Sequence, residues 1–164
     1  MKTKLTKKPA AFSLVELLMV LTIISIMAAL IINAFSNAAQ DSRDVLSRQQ
    51  QATLKSALDN AISQYLASGA SPSDTGKTVE QARKYYTYAN GVSGTLRNQK
   101  GRLALLEDYL DEDTFEHFNS RSSATMIQSA AMVKTNQFVE FEEWPVATAA
   151  NRNTYPKVKL SVVP

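Results

Sequence analysis

Few side chains in this sequence could do chemistry, and their spacing limits what that chemistry can be. Glu16 stands inside an apolar run: from Phe12 to Phe35, 19 of 24 positions are apolar, the exceptions being Ser13, Glu16, Thr22, Ser25 and Asn33. A carboxylate there costs about 2.5–3.5 kcal/mol on membrane-insertion scales, and residues kept at such a cost usually have a function. A second group is the acidic run Glu107-Asp108-Tyr109-Leu110-Asp111-Glu112-Asp113. Carboxylates can bind Ca²⁺, but that ion wants six to eight oxygens gathered at a folded turn. The run has no EF-hand spacing and no Gly, so a solvated helix face ending in an N-cap fits it better. Asp108, Asp111 and Asp113 are the candidate ligands should an ion bind; otherwise no cofactor or metal is expected. A third group, Arg83-Lys84-Tyr85-Tyr86-Thr87-Tyr88, mixes cations with aromatics and could stack on single-stranded nucleic acid. Helical tyrosines more often pack into a core, and a nucleic-acid partner is not expected. His117 is the one histidine, with no partner at ligand spacing, and is expected at the surface or half-buried. Cysteine is absent, which excludes disulfides, thiolate metal sites and a Cys nucleophile. No Gly-x-Ser-x-Gly elbow, phosphate loop or dinucleotide fingerprint occurs, so catalysis is not expected.

These residues must be positioned by very unequal parts of the chain. Lys2, Lys4, Lys7 and Lys8 give the first eleven residues +4 with no acid, leaving 14 basic and 15 acidic side chains in the other 153. The basic balance therefore belongs to the N-terminal tip and is poor evidence for a nucleic-acid surface. The apolar run that follows, 24 residues as a helix, covers about 36 Å, enough for a bilayer core of about 30 Å. With lysines before it, the tip is expected inside and the C-terminal part outside. No Gly or Pro occurs between residues 10 and 68, which allows one uninterrupted helix. Its second half is amphipathic: Leu54, Leu58, Ile62 and Tyr65 or Leu66 recur at three and four, with Val45 and Leu46 upstream.

Three readings of the N-terminus compete. A secretory signal could be cut near Ser36-Asn37-Ala38, but the apolar stretch is about twice the usual length. An uncut signal anchor is the second. Neither explains Glu16. The third rests on Ala11-Phe12-Ser13-Leu14-Val15-Glu16-Leu17-Leu18-Met19-Val20-Leu21, which resembles the N-terminus of type IV pilins and type II secretion pseudopilins. The resemblance implies a basic leader, residues 1–11, cut between Ala11 and Phe12 by a prepilin peptidase that then N-methylates Phe12. Glu16 falls on the family's acid at the fifth mature position. It would pair with the Phe12 amine of a neighbouring subunit during assembly. The family usually has Gly where Ala11 stands, and many relatives have Gly and Pro where Ser25 and Asn33 stand, so a helix without their kink is expected.

The expected layout is a leader at 1–11, a transmembrane half of the N-terminal helix at 12–35, an amphipathic half at 36–68 and an extracytoplasmic α+β head at 69–164. Residues 69–76 read as a loop. Thr78 with Gln81 has capping-box spacing and predicts a helix from Val79 to about Ala89, ended by Asn90-Gly91 and Gly94. Leu103, Leu106 and Leu110 predict a helix from about Gly101, and Asp113 with Glu116 can cap a further turn carrying Phe115 and Phe118. Met126–Lys134 is open between strand and helix. Gln137–Glu142 and Lys157–Val163 read as strands of an antiparallel sheet. The fold class is thus α+β: a long N-terminal helix packed on a small domain of short helices and antiparallel sheet.

The resemblance implies a structural filament subunit of an inner-membrane assembly, a pseudopilus or pilus. Sister pseudopilins, the peptidase, a platform membrane protein and an assembly ATPase would be its partners. Many adhesive pilins close a C-terminal loop with a disulfide, so the absence of Cys leans toward a type II secretion pseudopilin. The alternative is a non-polymerising, single-pass anchored binding protein with a periplasmic domain.

Overall fold

A computed structural model of the chain describes residues 13–68, 77–91, 94–145 and 154–164, without the side chain of Asn90. The expected cut between Ala11 and Phe12 and the expected loop at 69–76 lie outside the described residues. Helix α1 runs from Leu14 to Ala67, continuous through Ser25 and Asn33. Thr22 and Ser25 donate their hydroxyls to the carbonyls of Met19 and Leu21, at 2.8 and 2.7 Å. These two hydroxyls thus find partners on their own helix, which suits an apolar surrounding. The chain divides after Gln40 into two compact units.

The first unit's described residues belong to α1. The helix contains an 18-residue stretch of mean hydropathy 2.7, none of it buried, and is long and apolar enough to cross a bilayer.

The second unit, Asp41–Pro164, is a small α+β domain that includes the remainder of α1. Helices α2 (Val79–Thr87), α3 (Gln99–Leu103), α4 (Glu112–Asn119) and α5 (Ala130–Lys134) are followed by strands β1 (Gln137–Phe141) and β2 (Val158–Val162). The strands pair antiparallel, with Val139 opposite Leu160, and Ile127 adds a bridge to Val139. The expected α+β class holds, and both predicted strands form. Met126–Lys134 resolves into both alternatives: Ile127 makes the bridge, and Ser129 caps α5 by accepting from the Met132 N–H.

Leu54, Leu58 and Ile62 are buried against Tyr86, Leu103, Leu106, Phe118, Val139 and Phe141. Val45 and Leu46 do not join them, remaining 65% and 43% exposed. The buried stripe continues instead through Ser47, which is fully buried. Gln50 accepts from the Ser129 hydroxyl at 2.6 Å, and Gln51 donates to the Val158 carbonyl at 2.8 Å. Both glutamines are half-buried and each meets a polar partner, whereas the buried Ser47 hydroxyl meets none among the described residues.

Three element boundaries differ from expectation. Helix α2 stops at Thr87, because Tyr88 turns extended and bridges to Leu96. A 3₁₀ turn at Ala89–Gly91 follows, with Gly91 at φ 69, a conformation that favours glycine. The helix expected from Gly101 is a five-residue α-helix passing into a 3₁₀ turn over Ala104–Tyr109. Helix α4 is capped by Asp111, whose Oδ1 accepts from the Thr114 N–H at 2.9 Å, and Asp113 lies inside its first turn. A side-chain oxygen caps by reaching the N–H three residues on, and the helix begins two residues earlier than the Asp113 spacing implies.

Candidate assembly site at the start of the long helix

Ser13 and Glu16 form a reciprocal cap at the start of α1. The Ser13 N–H donates to Glu16 Oε2 at 2.9 Å, and the Glu16 N–H donates to Ser13 Oγ at 3.2 Å. This is a capping box: the N-cap hydroxyl and the carboxylate three residues on each satisfy an amide that has no partner within the helix. The carboxylate also lies at the positive end of the helix dipole. Glu16 is therefore not an isolated charge; its own helix start compensates part of the cost of placing it in an apolar run. The Ser-x-x-Glu spacing was the available signal. Read only as a charge in need of an external partner, Glu16 hides this local role.

Around this cap, every large apolar side chain from Leu14 to Phe35 is between 51% and 78% exposed. Soluble surfaces rarely leave so long an apolar stretch uncovered, and its exposure is consistent with membrane anchoring.

The other candidates resolve into structural roles or separate positions. Asp108 and Asp113 do not join Asp111 in a ligand cluster: among the described residues, no three metal-ligating side chains converge on a common point. Asp111 spends its carboxylate on the α4 cap, and the Thr114 hydroxyl and amide hold it below the usual carboxylate range. His117 is half-buried in the last turn of α4, and its Nε2 accepts from the Ala130 N–H at 3.3 Å. Accepting there requires the neutral ring with its proton on Nδ1.

The cation–aromatic stretch separates by helical face. Tyr86 is buried, donates its hydroxyl to the Glu142 carbonyl at 2.7 Å, and has its ionisation pushed up by desolvation. Tyr85 stacks on Tyr65, centroids 4.5 Å apart and planes 15° off parallel. Lys77 lies over the Tyr65 ring at 4.3 Å, and the Arg97 guanidinium carbon sits 5.4 Å from the Tyr85 ring. The Arg83 guanidinium is bound to the Glu80 carboxylate, with Nε donating at 2.8 Å. The aromatic faces and Arg83 are thus engaged within the domain. A buried residue without an obvious sequence signal is Arg102. It is 4% exposed, donates to the Phe141 carbonyl at 2.6 Å and lies 5.2 Å from the Tyr86 ring.

Compared with known proteins, residues 6–32 match the prokaryotic N-terminal methylation motif. That motif is the leader signature of type IV pilins and pseudopilins, and over those residues the chain is similar to them. No curated protein and no solved structure matches the chain.

Proposed function

We propose that the chain is a structural subunit of a type II secretion pseudopilus or a related type IV pilus-like filament. A prepilin peptidase cuts between Ala11 and Phe12 and methylates Phe12. The mature subunit waits in the inner membrane as a single span with its α+β domain in the periplasm. Assembly stacks the apolar halves of α1 from successive copies, or from sister pseudopilins, driven by a platform protein and an ATPase. The observation that carries this reading is the methylation motif over residues 6–32, with Glu16 at its fifth position after the cut.

Physical chemistry gives Glu16 two successive partners. In the single subunit it caps α1 through Ser13. After cleavage, Phe12 presents an α-amino cation, ordinarily protonated below about pH 8. When α1 helices pack, that cation is buried and needs an anion, and the Glu16 of an adjacent copy supplies it. Pairing compensates both charges and fixes the register of one helix against the next. The absence of cysteine supports the pseudopilus over adhesive pilins that close a disulfide loop.

The test is filament yield after shearing, divided by total membrane-inserted subunit, for the unsubstituted chain, Glu16→Ala and Glu16→Asp. The expected order is unsubstituted, then Asp, then Ala, with Ala near zero because an unpaired buried amine costs about 3–5 kcal/mol. Equal filament yield from Glu16→Ala contradicts the register role.

A further inference from the structure

The small domain carries opposite charge on the two flanks of α1. On one side, α4 and the 3₁₀ turn before it present Glu107, Asp108, Asp111, Glu112, Asp113 and Glu116, all exposed. Among the described residues none of the six is in an ion pair; the pairs found are Lys55–Asp59 and Arg83–Glu80. A groove of about 370 Å³ runs between α4 and α1 on this side, with Leu46, Gln49 and Thr53 as one wall and Asp113 and His117 as the other. On the other side, Arg48 of α1, Lys157 just before β2 and Lys159 within β2 stand exposed and line a second groove of about 380 Å³, with Glu142 the one acid in its lining.

The helix itself fixes the separation of these flanks. At about 100° per residue, the α1 positions lining the two grooves point about 180° apart, with the buried Leu54–Leu58 stripe between them on one side. Two complementary surfaces on opposite flanks of one domain cannot satisfy each other within a single copy. Between copies they can meet in a head-to-tail contact, which propagates as a fibre unless its rotation closes a ring. The first groove also has room for a lysine: Leu46, 43% exposed, offers apolar surface to an alkyl stem, and Asp113, the one acid in its lining, would meet the ammonium.

We propose that the acidic α4 flank of one subunit docks the basic Arg48–Lys157–Lys159 flank of the next copy of this chain. The inference rests on the filament reading and names the contact between the small domains within it. The chain has no cysteine, so an introduced pair reports without background. The full chain carrying Asp113→Cys together with Lys159→Cys, inserted in membranes and mildly oxidised, is expected to give a non-reducing ladder of dimers, trimers and higher species. Either cysteine alone is expected to run as monomer. A pair that gives no ladder while filaments still shear off overturns the docking and leaves the filament reading intact. Dimers from Asp113→Cys alone, as abundant as those from the pair, overturn it by showing the acidic flank facing itself. If the unsubstituted chain forms no filaments and the pair gives no ladder, both readings fall.

Charge reversal gives an independent measurement. Asp113→Lys with Glu116→Lys is expected to lower filament yield by about tenfold, the effect of losing two or three interface ion pairs. Adding Lys157→Glu and Lys159→Glu to that chain is expected to restore it. Failure of the second pair of reversals to restore yield overturns the docking.

Discussion

Within α1, the stretch from Leu14 to Phe35 and the stretch from Ser47 to Ile62 have the same backbone conformation and opposite surroundings. In the first, large apolar side chains point outward on every face and all are more than half exposed. In the second, one stripe is buried to between 0% and 6%, and the remaining faces carry charge and amide groups. The second stretch already has its partner, the small domain of the same chain. The first is equally helical without one, so its apolar surface is held for a medium or a molecule outside the chain. An identical substitution should therefore read out as stability in one stretch and as processing or assembly in the other.

The largest expected effect falls just before the first stretch. Ala11→Leu should block cleavage outright, leaving a chain eleven residues longer on a gel, while Ala11→Gly should cleave at least as well as the unsubstituted chain. Next comes the core. Leu54→Ala removes a fully buried side chain and should destabilise the small domain by about 2–5 kcal/mol in denaturant unfolding. Leu18→Ala, from the exposed stretch, should leave that transition unchanged. If both changes shifted it equally, the division of α1 would be wrong.

Smaller effects sharpen the comparison between the caps. Thr78→Ala breaks the α2 capping box, in which Gln81 N–H reaches the Thr78 hydroxyl at 3.3 Å and the Thr78 N–H reaches Gln81 Oε1 at 2.7 Å. It should cost the small domain about 1 kcal/mol. Ser13→Ala breaks the corresponding box on α1 and should cost that domain nothing, appearing instead in filament yield. The smallest effect is a pH dependence. Arg83 bound to Glu80 holds that carboxyl below its ordinary value, so the pair's contribution is present above about pH 4.5 and is lost as pH falls through the lower folded value. Glu80 is exposed, so solvent screens the pair and the loss should be about 0.3 kcal/mol, and Glu80→Gln should remove it from the stability–pH curve.

Periodicity and capping patterns made much of this legible in the sequence. The 3.6-residue stripe through Leu54, Leu58 and Ile62 and the alternation in Val158, Leu160 and Val162 placed the core helix and a strand. The Thr78–Gln81 spacing placed a helix start. What stayed hidden depended on tertiary partners. The half-buried Gln50 and Gln51 carry no sequence signal for packing, because a Gln side chain is suited to burial only when a carbonyl or hydroxyl waits for it. Helix α2 ends where Tyr88 finds Leu96 across a turn, a pairing with no local signal. The composition of the acidic run implies a helix face and cap, and the capping residue is Asp111, two positions before Asp113. The Ser13–Glu16 box carried a clear local pattern, obscured by the stronger signal of a charge in an apolar run.

The central claim is that this chain is matured at residue 12 and held for assembly by the stretch that follows. Intact-mass spectrometry of the subunit purified from membranes tests it most directly. The account predicts a mass for residues 12–164 plus one methyl group, with the methyl on the Phe12 amine by fragmentation. A chain still beginning at Met1, or one beginning near Ala39 after signal-peptidase cleavage, would contradict it.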